Sequence, residues 1–504
     1  MNEPIEIDLL DAAQDPPTLT ITSPDLDPIS ANISFKPHFP SLPPFPLYTP
    51  NNHVHHPLTP NPPPTSPSFL LTSTLIILLP ATILITTPPT SPLRYITITI
   101  LIYLASLFIT PHHGASTLRI TATAQLALIT VQSVHLLLIA RLDDRAIARE
   151  IPERAFFKSD RLYRAVELLI QPRGVRTPRE IKNVPGHPEY YASKKTKGGD
   201  KDKANGVDAI PRSNFLIRQI AIFTWQYLAL DVLQTVARQQ AFEGGGGGGG
   251  GDSSGFTRID WFVSPEKWIE RGLTNLITWF VTSRILIDAS YRFVSIIFVG
   301  LGFDSPENWP PAFGRMKDVY TIRKFWGKFW HQFLRGPFTA VSNFIARDIL
   351  HLPRPSLVER YTNIFIVFLL SGILHVLTDH IQNIPYEYSG AMIGFPITAF
   401  GIMFEDGVQE LWKRFSPPTK AGSKEGGEES DSVTPVWQRI VGYVWTFVWL
   451  GVVSTWYLYP IYELPGELTL LVPVSLSERV GVQPLAGVVL GAGLVVGYVF
   501  GAEI

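Results

Sequence analysis

Two histidines stand where chemistry at a membrane would need them. His375 lies inside an apolar run, Tyr361-Thr-Asn-Ile-Phe-Ile-Val-Phe-Leu-Leu-Ser-Gly-Ile-Leu-His375-Val-Leu-Thr378. His331 closes an aromatic-basic block, Phe325-Trp-Gly-Lys-Phe-Trp-His331, followed by Gln332. An ionisable side chain in a spanning helix is costly and by default marks a functional site. Imidazole titrates near neutrality, and desolvation keeps it neutral and able to accept a proton. His375 therefore has two readings: a general base, or a structural histidine bonded to a neighbouring helix. Ser371 and Gly372 are small and lie one turn earlier. They leave room for a substrate or for a packed helix.

The block around His331 also has two readings. Arg323, Lys324 and Lys328 interleave with Trp326 and Trp330. An interfacial segment has this composition, with indoles at headgroup level and cations toward water. Alternatively, the cations meet the phosphates of an anionic substrate. His331 then hydrogen-bonds a reacting carbonyl or hydroxyl.

Three other clusters are weaker. Glu307-Asn-Trp-Pro-Pro-Ala-Phe-Gly314 carries adjacent prolines and a glycine, which fix a rigid turn. Its plain role is a structural loop. Glu405-Asp406 closes an apolar run, as solvated end residues or as a partner that orients a histidine. His53, His55, His56, His112 and His113 raise the question of metal, but no matching carboxylate frame accompanies them. His375 and His380 are spaced i, i+5 and share no helical face. No metal site is expected.

The elements that position these residues are helices. A spanning helix needs about 20 mostly apolar residues, and nine stretches qualify: Ser68–Thr87, Leu93–Thr110, Leu118–Ala140, Asn214–Val236, Leu273–Phe303, Tyr361–Thr378, Ser389–Phe404, Ile440–Tyr459 and Val482–Phe500. The fifth is long enough to be one tilted helix or two short ones. The expected fold is all-α, a polytopic membrane protein of about 8–10 transmembrane helices. The first two runs are rich in Thr and Ile, which favour strands in water. Helices still win there, because a helix satisfies its own backbone in lipid.

Loop charge gives an orientation. Residues 141–212 form a long basic loop, which the positive-inside rule places in the cytosol. Counting spans puts the basic segment 315–335 on the same side. The N-terminus then falls in the lumen and the C-terminus in the cytosol. Residues 1–67 are acidic and then proline-crowded, and are expected to be disordered. They carry no signal-peptide pattern, so targeting falls to the first span. Residues 68–140 hold the N-terminal spans and 213–504 the core. Two low-complexity loops interrupt that core, 243–255 around a glycine run and 416–434. The glycine run lacks the Lys-Ser/Thr that a phosphate-binding loop requires.

Composition bounds the rest. The chain has 504 residues, 45% of them hydrophobic, and a formal net charge of -1. Its mean hydropathy is +0.15. A near-neutral chain gives no reason to expect a nucleic-acid partner. Cysteine is absent, which excludes disulfides, S-palmitoylation, cysteine zinc sites and a cysteine acyl-enzyme.

Taken in order, Glu307 to Gly314, Phe325 to Gln332, Ser371-Gly-Ile-Leu-His375 and Phe404-Glu-Asp-Gly-Val-Gln409 resemble the wax synthase-like branch of the membrane-bound O-acyltransferase superfamily. Arg173-Gly-Val-Arg-Thr-Pro-Arg-Glu-Ile-Lys-Asn-Val-Pro185 is similar to a segment that precedes the core in fungal members. The resemblance covers Gln171 to Tyr459. It implies a multi-helix protein of the endoplasmic reticulum membrane that transfers an acyl group from acyl-coenzyme A to a hydroxyl. His375 matches the family's intramembrane base. His331 falls where members carry Asn or His.

Acyl-coenzyme A is then a co-substrate, no cofactor is implied, and its contacts fall to Arg323, Lys324, Trp326, Lys328, Trp330 and Gln332, with Glu405 and Asp406 in support. The acceptor is a lipophilic alcohol: a long-chain alcohol, a sterol, a diacylglycerol or a terpenoid-type metabolite. Acetyl is a candidate acyl group, since fungal relatives often use short donors. Two other readings are a pseudoenzyme, and a non-enzymatic transporter or lipid-binding protein with His375 as a proton relay. The transporter has no need of the aromatic-basic block.

Overall fold

The structure is a computed structural model. It describes residues 67–109, 117–150, 161–191, 210–243, 276, 278–382, 384, 386, 389–415, 435–462 and 471–501. The N-terminal segment expected to be disordered lies, up to residue 66, outside these residues, as do the histidines at 53, 55, 56, 112 and 113 and both low-complexity stretches, 244–255 and 416–434.

The described residues are helical, without a strand. The α-helices of four residues or more are α1 (Pro67–Thr86), α2 (Leu93–Ser106), α3 (Thr117–Val134), α4 (Asp144–Glu150), α5 (Arg161–Ile170), α6 (Arg212–Glu243), α7 (Ser283–Gly300), α8 (Arg335–Asn343), α9 (Leu357–Ile381), α10 (Ala391–Phe415), α11 (Val436–Tyr462), α12 (Ser477–Val480) and α13 (Val482–Phe500). Among the described residues seven helices are long and apolar enough to cross a membrane. They correspond to seven of the nine expected spans, and the chain is an integral multi-pass membrane protein. The second expected span yields a helix of 14 residues. At 1.5 Å per residue it falls short of a 30 Å hydrocarbon layer. The fifth is described from residue 278, as a π-helical turn Thr278–Thr282 leading into α7.

The threonine-rich start shows how lipid overrides strand preference. In α1, Thr72, Thr74, Thr82 and Thr86 each donate their hydroxyl to the carbonyl four residues back, at 2.7–2.9 Å. The polar group is satisfied within its own helix, so the apolar exterior survives. Helices α1, α2, α3 and α5 share one apolar cluster. Arg94 of α2 is fully buried there and donates to the carbonyls of Thr87, Leu137 and Leu142. Helices α6, α7 and α13 share another cluster. Large apolar side chains on α13, among them Leu490, Leu494 and Tyr498, remain exposed. That is the surface a lipid bilayer covers.

Helix α9 carries His375. Its start follows from the sequence Ser356-Leu-Val-Glu359. The Ser356 side chain accepts the Glu359 N–H at 3.1 Å, and an acidic residue sits in the first turn. The helix packs most extensively on α10. Gly372 makes that crossing possible: a Cβ there would lie 3.1 Å from the Ala391 carbonyl oxygen. Of the two uses for this small residue, close helix packing is the one observed.

Candidate active site

The aromatic-basic block begins as one helical turn, Ile322–Lys324, capped by the Thr321 hydroxyl, which accepts the Lys324 N–H at 2.9 Å. It widens into a π-helical turn, Phe325–Phe329, and Trp330 then leaves the helix in extended conformation. Phe325, Phe329 and Trp330 are buried. They stack with Phe280 and Trp279 of the preceding π turn, Trp330 on Trp279 at 5.0 Å and Phe329 on Phe280 at 5.6 Å. The aromatic half of the block therefore packs inward and builds a core, where the interfacial reading turns its indoles toward lipid headgroups. The wide turn suits this, because it points consecutive large rings inward where a tighter helix would spread them around its circumference.

The proline turn before the block is welded to it. Gly314 N–H donates to the Phe329 carbonyl at 2.8 Å. A Cβ on Gly314 would collide with the Lys328 carbonyl oxygen, so only glycine fits. Asp304 organises the rest of this turn. It accepts from the Trp309 indole at 3.0 Å, from Gln171 at 2.8 Å and from Asn308 at 2.5 Å. The structural-loop reading of Glu307 to Gly314 matches these contacts.

His331 follows the block. Its ring stacks on Phe333 at 5.5 Å and meets Phe313 edge-on at 6.0 Å. Its Nδ1 is buried without a hydrogen-bond partner among the described residues. Burial, reinforced by the neighbouring His375 and Arg173, pushes its pKa down to about 3. The imidazole is therefore neutral across the physiological range, with one ring N–H to give and one lone pair to offer.

His375 comes from α9. Its Nδ1 lies 2.7 Å from the Ser371 carbonyl oxygen. A carbonyl only accepts, so Nδ1 carries the hydrogen and Nε2 keeps the lone pair. Phe395 of α10 lies flat on the imidazole at 4.0 Å, and Tyr457 of α11 stands perpendicular to it at 5.3 Å. Trp326 touches Phe395 at 6.5 Å and Trp330 at 5.9 Å. Trp330 in turn touches His331 at 5.7 Å. A continuous aromatic row thus runs from one histidine to the other.

The remaining expected residues divide. Trp326 and Trp330 line the row. Gln332 is buried and donates to the Asn183 carbonyl at 2.8 Å, tying the block to the loop after Arg173. Lys324 contacts the Tyr320 hydroxyl and ring. Lys328 is half-buried. Arg323 pairs with Asp406, which also accepts from Arg360 at 3.1 Å and from Tyr361 at 2.9 Å. Glu405 accepts the Ile322 N–H at 2.6 Å. Both carboxylates therefore hold the first turn of the block. That differs from either sequence reading, a solvated helix end or a partner for a histidine. No group of three or more candidate metal ligands exists among the described residues.

Sequence reasoning missed four residues at the site. Arg173 donates to the carbonyls of Pro311 at 2.7 Å and Pro310 at 2.9 Å and to the Tyr291 hydroxyl at 2.5 Å, with its guanidinium over Phe333 at 5.3 Å. In the sequence it reads as a loop cation and as the start of the Arg173–Pro185 segment, with no role at the site. Phe395 and Tyr457 are aromatics in apolar helices and carry no local signal. Asp379 follows His375 by one turn and is fully buried. Its signal was its i+4 spacing on the same helix face.

Comparison with known proteins now has a geometry to attach to. A profile described as "Membrane bound O-acyl transferase family" matches residues 309–397, which include both histidines. The chain is 37% identical over 381 residues to acetyltransferase spyB of Aspergillus fumigatus, covering 75% of this chain and 61% of that protein. It is 37% identical over 386 residues to acetyltransferase pyr8 of the same organism, covering 76% and 84%. It is 38% identical over 354 residues to acetyltransferase atnC of Arthrinium sp, covering 70% and 74%. The match thus spans less than two thirds of the length of spyB and more of the other two. No solved structure matches the chain. The chain belongs to the membrane bound O-acyl transferase family.

Proposed function

We propose that the chain is a wax synthase-like acyltransferase of the endoplasmic reticulum that moves an acyl group from acyl-coenzyme A to the hydroxyl of a lipophilic alcohol. The relatives' names favour acetyl as that group. The observation that carries the reading is the tautomer of His375. With Nδ1 committed to Ser371, Nε2 is an unprotonated base inside an aromatic enclosure.

In this reading the alcohol oxygen attacks the thioester carbonyl as its proton passes to Nε2 of His375. The new C–O bond creates an oxyanion, to which neutral His331 donates its ring N–H. Collapse breaks the C–S bond, and the coenzyme A sulfur leaves with the proton from His375. Ester and free coenzyme A result, and His375 is restored. Lys324 and Lys328 meet the phosphates of the donor on the cytosolic side, with Arg323 shared between donor and Asp406.

The test is an assay of microsomes carrying the chain, with radiolabelled acetyl-coenzyme A and palmitoyl-coenzyme A against a panel of long-chain, sterol and terpenoid alcohols. Labelled acetyl ester above the level of empty microsomes is the expected result. No ester from any pair contradicts the reading.

A further inference from the structure

Asp379 has no part in the transfer just described, yet it is a fully buried carboxyl in a membrane-spanning helix. Such a group is costly in apolar surroundings, and an apolar residue of similar size fills the same space more cheaply. What it touches gives it a use. The Ser389 hydroxyl donates to its Oδ2 at 2.6 Å, and Ser389 also accepts the Ala391 N–H at 3.3 Å, at the very start of α10. The Tyr457 hydroxyl of α11 lies against the same carboxyl and against Thr378. Oδ1 has no hydrogen-bond partner among the described residues. The carboxyl of α9 is thus bonded to the start of α10 and has the Tyr457 hydroxyl of α11 beside it.

Those three helices each bring a ring to one point. His375 from α9, Phe395 from α10 and Tyr457 from α11 are in mutual contact: His375 with Phe395 at 4.0 Å, His375 with Tyr457 at 5.3 Å, and Phe395 with Tyr457 at 5.3 Å. The hydrogen bond to Ser371 fixes one nitrogen of His375 but leaves the ring free to tilt about it. Phe395 blocks one face. Tyr457 stands on another side, with its hydroxyl beside Asp379 and Thr378.

We propose that Asp379 and Tyr457 act as one positioning pair for His375: the carboxyl holds the tyrosine hydroxyl, and the tyrosine ring holds the imidazole against Phe395. The inference deepens the acyl-transfer reading, and its kinetic half rests on that reading. Neither residue touches the reacting atoms. Their effect is geometric, and a catalytic base displaced by an ångström loses much of its rate.

The experiment compares wild type with Tyr457→Phe, Asp379→Asn and the double variant in microsomes, at protein levels matched by detergent-extracted size exclusion. Each single change is expected to lower kcat about 10- to 100-fold with little change in the donor KM. The double variant is expected to be no worse than either single one, because the residues act as a unit. Tyr457→Phe keeps the ring and decides the matter if Asp379→Asn does not fold.

A second readout needs no turnover: labelling of His375 by diethyl pyrocarbonate, followed by mass spectrometry, with His187 as the internal control. Both single variants are expected to expose His375 to faster labelling and leave His187 unchanged. Wild-type kcat in Tyr457→Phe, a double variant whose losses multiply, a rise confined to KM, or unchanged His375 labelling would each overturn the pair. Absence of transfer by wild type, with His375 labelling still dependent on both residues, would sink the acyl-transfer reading and leave the positioning pair standing.

Discussion

The imidazole of His375 and the carbonyl of Ser371 are joined across 2.7 Å on a single turn of α9. The relationship is local, so the helix itself chooses the tautomer. It costs the carbonyl little, since a backbone oxygen has two lone pairs. It leaves Nε2 as the only ring atom able to take a proton.

His331 is expected to tolerate an amide. A neutral imidazole and an asparagine amide can both donate one hydrogen bond at this position. His331→Asn should retain ester formation within about tenfold, whereas His331→Ala removes the donor and should lose about 10²–10³-fold in kcat. Initial rates at saturating donor distinguish the two.

The same residue sets a pH signature. In the unfolded chain its pKa is about 6.5; in the fold, burial, reinforced by the neighbouring His375 and Arg173, brings it to about 3. The unfolded state therefore binds more protons between these values, and stability falls as pH is lowered through that window. The stabilising contribution is complete above about pH 6.5. Thermal unfolding of detergent-purified protein should show a declining melting temperature toward acid, and His331→Asn should flatten that decline. A slope equal in both proteins would be evidence against a neutral, desolvated His331.

Arg173 should not accept lysine. Its guanidinium serves two carbonyls and a phenol at once, a fork that a single ammonium cannot reproduce. Arg173→Lys leaves at least one buried acceptor unpaired and is expected to cost about 1–3 kcal/mol. Loss of Phe333 support should also lower kcat. Melting temperature and turnover, measured on one preparation, test both parts.

Gly314 is a steric prediction. Any Cβ there meets the Lys328 carbonyl oxygen, so Gly314→Ala must push the proline turn off the block. Overpacking of this kind costs about 1–3 kcal/mol. Reduced yield of folded protein by size exclusion is the expected outcome, with wild-type yield as the contrary one.

These predictions draw unevenly on the sequence. The helices and His375 were legible because an apolar run of spanning length is a strong local signal, and a histidine inside it stands out. The block around His331 was legible as composition, but its inward-facing rings were not: they depend on Trp279 and Phe280, which arrive from a distant segment. Glu405 and Asp406 read as the end of a helix because their partners, Ile322 and Arg323, lie far away in the chain. Asp379 escaped because the apolar run ended one residue before it. Reading the turn after His375 by helical spacing would have placed it on the same face. Phe395 and Tyr457 left no trace, since an aromatic in a spanning helix is ordinary until its neighbour is known.

The central claim is that His375 is the base, and one comparison tests it most directly. Wild type and His375→Ala are assayed in matched microsomes with the donor and alcohol that give the most ester. General-base catalysis is worth about 10²–10⁴-fold, so the variant should lose most of its turnover while remaining folded by size exclusion. Ester formation that persists unchanged in His375→Ala would contradict the account.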